Sequence, residues 1–114
     1  MSVTIYHNPR CSKSRQTLAL IEEQGIEPEV IKYLETPPTE AELRTLFEQL
    51  KLDTVRDMMR VKEDVYKEQD LKQANDDALF AAMARHPKLI ERPIVVNKGQ
   101  AKLGRPPEQV LEIL

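Results

Sequence analysis

Cysteine occurs once in this chain, at Cys11, and is the residue best suited to chemistry. It opens the run Cys11-Ser12-Lys13-Ser14, a C-x-x-S pattern in which serine replaces the second cysteine of a dithiol redox motif. The chain therefore cannot close an intramolecular disulfide, and any disulfide chemistry has to use a thiol from another molecule. Ser14 can still donate a hydrogen bond, either in a direct role at the thiol or as a capping residue of a helix.

The elements predicted around Cys11 favour the ionised form of its thiol. Residues 3–6 are β-branched or aromatic and predict a strand, whereas residues 12–24 are rich in helix formers and predict a helix. A cysteine just before a helix lies near free backbone N–H groups and the positive end of the helix dipole, which stabilise a thiolate. We therefore expect an anion cradle formed by Ser12, Lys13 and Ser14.

Basic side chains cluster near Cys11 although the protein has a net charge of −2. Arg10, Lys13 and Arg15 surround the cysteine in sequence, and their field favours both a thiolate and an anionic substrate. His7, four residues earlier, could lower the thiol pKa further as an imidazolium ion, or it could be a solvated residue of the loop.

The rest of the pattern predicts an α/β fold with a mixed four-stranded sheet and helices on both faces. A second strand at 28–33 completes a β-α-β unit with parallel strands. Residues 94–103 predict an antiparallel hairpin with Gly99 in its turn, and Pro106-Pro107 begin a last helix. The predicted order is β-α-β, helices, β-β-α.

A helical insertion is predicted in the middle of the chain, at about 39–87. Thr39 and Glu42 form a capping-box pattern ahead of apolar residues at helical spacing. Further apolar stripes follow at 52–59 and 79–83. No internal repeat or linker divides the sequence, so we expect a single domain over residues 1–114.

Composition and spacing exclude several classes of function. Hydrophobic residues make up 40% and charged residues 32% of a chain without tryptophan, which is typical of a folded protein that binds neither membranes nor nucleic acid. No signal-peptide pattern is present, so we expect a cytoplasmic protein. His7 and His86 lack the paired spacing of a zinc site, and we expect no metal.

Two families of cysteine enzymes are also excluded. A C-x-x-x-x-x-R phosphatase needs arginine six residues after its cysteine, and Thr17 stands there. A Cys-His-Asn protease is excluded because His7 lies in the same loop as Cys11 and the chain is too short to frame a peptide cleft.

The segments His7–Arg15 and Tyr33–Pro38 resemble the glutaredoxin-dependent arsenate reductase family. Matching residues continue through the rest of the chain, at 55–60, 86–87, 90–96 and 104–106. The resemblance implies a thioredoxin-like fold, in agreement with the elements predicted from the residues. It also implies a cis peptide bond between Arg92 and Pro93 beside the thiol.

The resemblance assigns roles to individual residues. It implies that Cys11 is the nucleophile, that His7 helps to keep it ionised, and that an arsenate pocket is formed by Arg60, Arg92 and Arg105. A guanidinium fork can hold two oxygens of a tetrahedral oxyanion. The implied partners are arsenate, glutathione as co-substrate and glutaredoxin, with no bound cofactor, and we expect a monomer.

Two alternatives share the same fold and thiol. One is a redox sensor or transcription regulator that binds RNA polymerase, although such relatives usually keep C-x-x-C and its switchable disulfide. The other is a reductase of a different oxyanion or of a glutathione mixed disulfide.

Overall fold

The computed structural model describes residues 3–114, which divide into two units. The first unit contains the chain up to Thr36 together with Arg92–Leu114, and the second is Pro37–Glu91. The helical insertion predicted at about 39–87 falls inside the second unit, which extends a few residues beyond it at both ends. That both units act as one domain stays a prediction.

The first unit contains the predicted four-stranded sheet. Its strands are β1 (Thr4–Tyr6), β2 (Glu29–Ile31), β3 (Ile94–Asn97) and β4 (Gln100–Leu103). Among the described residues the sheet order is β2-β1-β3-β4, with β1 and β2 parallel and the other neighbours antiparallel. The mixed sheet is thus confirmed.

Strand β2 is shorter than the predicted 28–33 because the chain turns directly after it. The carbonyl of Lys32 accepts hydrogen bonds from the backbone N–H groups of Glu35 and Thr36, at 2.9 Å each. The turn takes Tyr33 out of the strand. One further ladder bond, from His7 N–H to the carbonyl of Ile31 at 2.8 Å, fixes the loop that leads from β1 to Cys11.

One face of the sheet is covered by helix α1 (Ser12–Glu23) and by a 3₁₀-helix at Pro107–Ile113. The last helix is therefore helical as predicted, but in the 3₁₀ form. The core on this face consists of alternate strand residues and residues from both helices, namely Val3, Ile5, Ile21, Val95 and Val110. This packing holds the start of α1 in a fixed place relative to β1 and β3.

The hairpin turn between β3 and β4 consists of Lys98 and Gly99, with φ of 54° and 77°. Two successive left-handed residues give the two-residue turn whose twist matches that of the flanking strands. The sequence predicted this conformation for Gly99 only. The side-chain amide of Asn97 donates to the carbonyl of Ile113 at 2.6 Å, which ties the hairpin to the last helix.

The second unit is built from short helices. They are α2 (Glu40–Leu50), α3 (Asp64–Glu68) and α4 (Asp76–Arg85), with 3₁₀-helices at Val55–Met58, Leu71–Gln73 and Pro87–Leu89. The capping box of Thr39 and Glu42 is present in both directions. The stripe predicted at 52–59 is a single 3₁₀ turn, because Met59 leaves it to form a β-bridge with Ile90. No helix among residues 3–114 is long and apolar enough to cross a bilayer.

Arg56 organises the segment between α3 and α4. Its Nε donates to the Tyr66 hydroxyl at 3.0 Å, and its Nη2 donates to the carbonyl of Leu71 at 2.7 Å. The same nitrogen reaches the carbonyls of Lys72 and Ala74 at 3.1 and 2.9 Å. One guanidinium therefore donates hydrogen bonds to three backbone carbonyls of an irregular segment.

We predict that Arg56→Met lowers the free energy of unfolding by about 2 to 4 kcal/mol, because it leaves several partly buried acceptors without a donor. Arg44→Met is the matched control. Arg44 forms an exposed ion pair with Asp77 at 2.6 Å and lies over the Phe80 ring, and each of these exposed contacts contributes about 1 kcal/mol or less. Urea unfolding of both variants tests this, and equal losses would contradict the role given to Arg56.

Candidate active site

Cys11 occupies the N-cap position of helix α1. Its backbone is extended, with φ −95° and ψ 124°, and its carbonyl accepts the first helical hydrogen bond, from the N–H of Arg15 at 3.0 Å. The backbone N–H groups of Lys13 and Ser14 lower the pKa of its thiol, although the side chain forms no capping hydrogen bond. The side chain is partly exposed, so the sulfur is accessible to a reactant.

The pKa of the Cys11 thiol is lowered by a balance of opposing effects. Partial burial is the largest effect and raises the pKa. The N–H of Ser14, the charge of Arg92, the N–H of Lys13 and a hydrogen bond from the Arg92 side chain together outweigh it. The net direction is towards the thiolate, as the sequence predicted.

The source of the positive charge differs from the prediction. Among the described residues, the side chain whose charge lowers the pKa of Cys11 is Arg92, not one of its sequence neighbours. Arg10 and Lys13 are exposed, and Arg15 donates from Nη1 to the carbonyl of Pro9 at 2.9 Å. All three residues are exposed, and charges in contact with water are screened.

His7 lies against Ser14 and is nearly buried. Its Nδ1 is 2.6 Å from the Ser14 hydroxyl, which also accepts a hydrogen bond from the N–H of Asn8 at 3.0 Å. Burial lowers the pKa of His7, and the charges of Lys32 and Arg15 lower it further. This direction disfavours the predicted imidazolium, and the contact with Ser14 ties the His7 ring to the start of α1.

The Ser14 side chain is used inside the protein rather than at the thiol. The residue is fully buried, and its hydroxyl joins the His7 ring to the Asn8 backbone. Its backbone N–H, in contrast, lowers the pKa of the Cys11 thiol. Ser14 therefore contributes to the predicted anion cradle with its backbone, and its hydroxyl holds the loop on the helix.

Arg92 precedes Pro93, and the peptide bond between them is cis, as the resemblance implied. A second cis bond joins Arg105 to Pro106, which the sequence did not reveal because its signal would be the same X-Pro pair in either isomer. Nη1 of Arg105 donates to the carbonyl of Arg92 at 3.1 Å. Contacts thus connect Cys11, Arg92 and Arg105 within the first unit.

Arg60 belongs to the second unit and is described there by itself. Its Nη2 pairs with Oε2 of Glu63 at 3.2 Å, and its N–H donates to the carbonyl of Leu89 at 2.7 Å. Its side chain is partly exposed. Its place in an oxyanion pocket stays a prediction.

The arrangement in the first unit suits attack by a sulfur nucleophile on an anion. A thiolate needs a low pKa and access to solvent, and Cys11 has both. A guanidinium beside it can neutralise charge that builds up on an electrophile.

We predict that Arg92→Met raises the pKa of Cys11, because it removes both the charge and a hydrogen bond that favour the thiolate. Arg10→Met is the matched control and should leave the pKa near that of the unchanged protein. The measurement is the rate of alkylation against pH. A rise of one unit would reduce the rate below the pKa roughly threefold, since a more basic thiolate is also more nucleophilic. An equal effect of both substitutions would contradict the assignment to Arg92.

Comparison with known proteins assigns the chain to a family. The chain is 58% identical to the uncharacterized protein YfgD of Escherichia coli K12 over 98% of its own length and 96% of that protein. It is 54% identical to an arsenate reductase of Neisseria meningitidis serogroup A, over 98% and 97% of the two chains. The structure of an arsenate reductase from Vibrio cholerae is 71% identical, with a TM-score of 0.98 over 100% of this chain and 98% of that one. These matches confirm the α/β, thioredoxin-like fold, and since the ArsC family model covers residues 6–113, the chain belongs to the ArsC family.

Proposed function

We propose that this protein is a cytoplasmic arsenate reductase that takes its electrons from glutathione and glutaredoxin. The observation that carries the proposal is the partly exposed Cys11 at the start of α1, whose thiol pKa is lowered by the backbone N–H groups of that helix start and by Arg92. The family and the names of close relatives, among them the arsenate reductase of Neisseria meningitidis, supply the substrate.

The first step is attack of the Cys11 thiolate on arsenic. A sulfur–arsenic bond forms, and one arsenate oxygen takes up protons and leaves as water. Arsenic stays at oxidation state five, so no electron has yet been transferred. Arg92 and Arg105, together with Arg60 in the proposed pocket, would neutralise the remaining oxygens, because a guanidinium stays charged and can donate two parallel hydrogen bonds.

The reduction needs thiols from outside, since the chain has only one cysteine. Glutathione adds to the arsenic and displaces a second oxygen as water. A glutaredoxin thiolate then attacks the glutathione sulfur, a disulfide forms between them, and the electron pair of the broken sulfur–arsenic bond reduces arsenic. Water finally releases arsenite from Cys11, which returns to its starting state. The protein binds no cofactor in this scheme.

The role of Cys11 predicts that Cys11→Ser abolishes arsenate reduction, because a serine hydroxyl does not ionise at neutral pH and is a poor nucleophile. Turnover is measured as arsenate-dependent NADPH oxidation with glutathione, glutaredoxin and glutathione reductase. Arg44→Met, an exposed change in the second unit, should leave turnover intact and serves as the control.

The same assay distinguishes the alternatives. Turnover with arsenate that needs both glutathione and glutaredoxin supports the proposal. Retained arsenate turnover in Cys11→Ser would exclude the thiol mechanism. Turnover of glutathione mixed disulfides without arsenate turnover would instead identify a thiol-disulfide reductase.

A further inference from the structure

Two residues that follow β4 hold the segment that carries Arg92. The N–H of Gly104 donates to the carbonyl of Pro93 at 2.9 Å. Nη1 of the next residue, Arg105, donates to the carbonyl of Arg92 at 3.1 Å. The carbonyls of Arg92 and Pro93 thus each accept a hydrogen bond from one residue of the pair Gly104 and Arg105. We call this pair the backbone clamp.

Only glycine fits at position 104. A Cβ atom there would lie 2.5 Å from Oγ1 of Thr17 and 2.7 Å from Cγ of Pro93, both far inside van der Waals contact. Thr17 is fully buried, and its hydroxyl donates to the carbonyl of Lys13 at 2.8 Å. The backbone clamp therefore packs at the same time against the Arg92-Pro93 segment and against the helix whose start surrounds Cys11.

We propose that the backbone clamp positions the Arg92 side chain beside Cys11, so that Arg105 is a positioning residue for the thiol. Its guanidinium acts through the carbonyl of Arg92 before any oxyanion is bound. This role goes beyond the proposed pocket, in which Arg105 would touch arsenate directly. The inference rests on the proposed function only for the identity of the substrate.

Physical reasons support an indirect role. An arginine side chain has many rotamers, so its contact with a thiolate is easily lost, and motion of the backbone that carries it would weaken that contact further. Among the described residues, the charged side chain that acts on the Cys11 thiol is Arg92. Arg10, Lys13 and Arg15 flank Cys11 in sequence and are exposed, and His7 lies in the preceding loop.

A double-mutant cycle tests the proposal without any substrate. The four proteins are the unchanged chain, Arg92→Met, Arg105→Met and the double variant. Arg105 is exposed, so its substitution should leave the fold intact, and circular dichroism checks all four. The rate of Cys11 alkylation by iodoacetamide is measured against pH.

Arg105→Met is expected to raise the pKa of Cys11 and to reduce the alkylation rate below that pKa, roughly threefold for each unit of the rise. In the Arg92→Met background the same substitution should change nothing, since Arg105 acts through Arg92. An equal effect in both backgrounds would show that Arg105 acts by its own charge, and no effect in either would show that it does not serve the thiol. Both results would overturn the proposal, and neither depends on whether arsenate is the substrate.

Gly104→Ala tests the packing of the backbone clamp. It is expected to raise the pKa of Cys11 as well, and to lower the midpoint of urea unfolding, as overpacking does. The control is Gly99→Asn, in the turn between β3 and β4. Nothing lies within 4 Å of an added Cβ at this position, and asparagine tolerates its left-handed backbone. A folded Gly104→Ala protein with an unchanged Cys11 pKa would contradict this part of the proposal. If the variant does not fold, the cycle of Arg92→Met and Arg105→Met decides the proposal.

Discussion

The site depends on the balance between two effects on the Cys11 thiol. Loss of water around the sulfur disfavours its charge, whereas the backbone N–H groups and the guanidinium beside it favour that charge. Burial alone would keep the thiol protonated, and it is the largest effect on its pKa. The first turn of α1 and the guanidinium of Arg92 reverse that outcome. The sheet, the core beneath α1 and the segment before β3 all contribute to this balance, because each fixes a donor at the sulfur.

Features that arise from neighbouring residues could be predicted from the sequence. The strand and helix around Cys11, the capping box at Thr39 and the hairpin turn at Gly99 are set by local backbone preferences, and the structure contains all of them. The thiolate at the helix start follows from the same local logic. The partner charge does not, because Arg92 reaches Cys11 only through the pairing of β1 with β3.

His7 shows why residue type alone does not determine the charge of a side chain. A histidine four residues from a thiol suggests a positive charge, but its charge depends on burial and on neighbouring cations, which only the fold determines. Both lower its pKa here, and its contact with Ser14 gives it a structural part. The Ser14 hydroxyl of the C-x-x-S run contacts the His7 ring and the Asn8 backbone N–H. It therefore stabilises the loop before α1.

Cys11 is the N-cap of α1 as well as the proposed nucleophile, and this has a consequence for any reaction that modifies its sulfur. When the thiolate forms a covalent bond it loses its charge, and the backbone donors of Lys13 and Ser14 lose an ionic acceptor. An electrophile that brings its own anionic oxygens can replace the lost charge at the same donors, whereas a neutral alkyl group cannot. We therefore expect the helix start to stabilise a product that leaves a negative charge where the thiolate was more than it stabilises a neutral one.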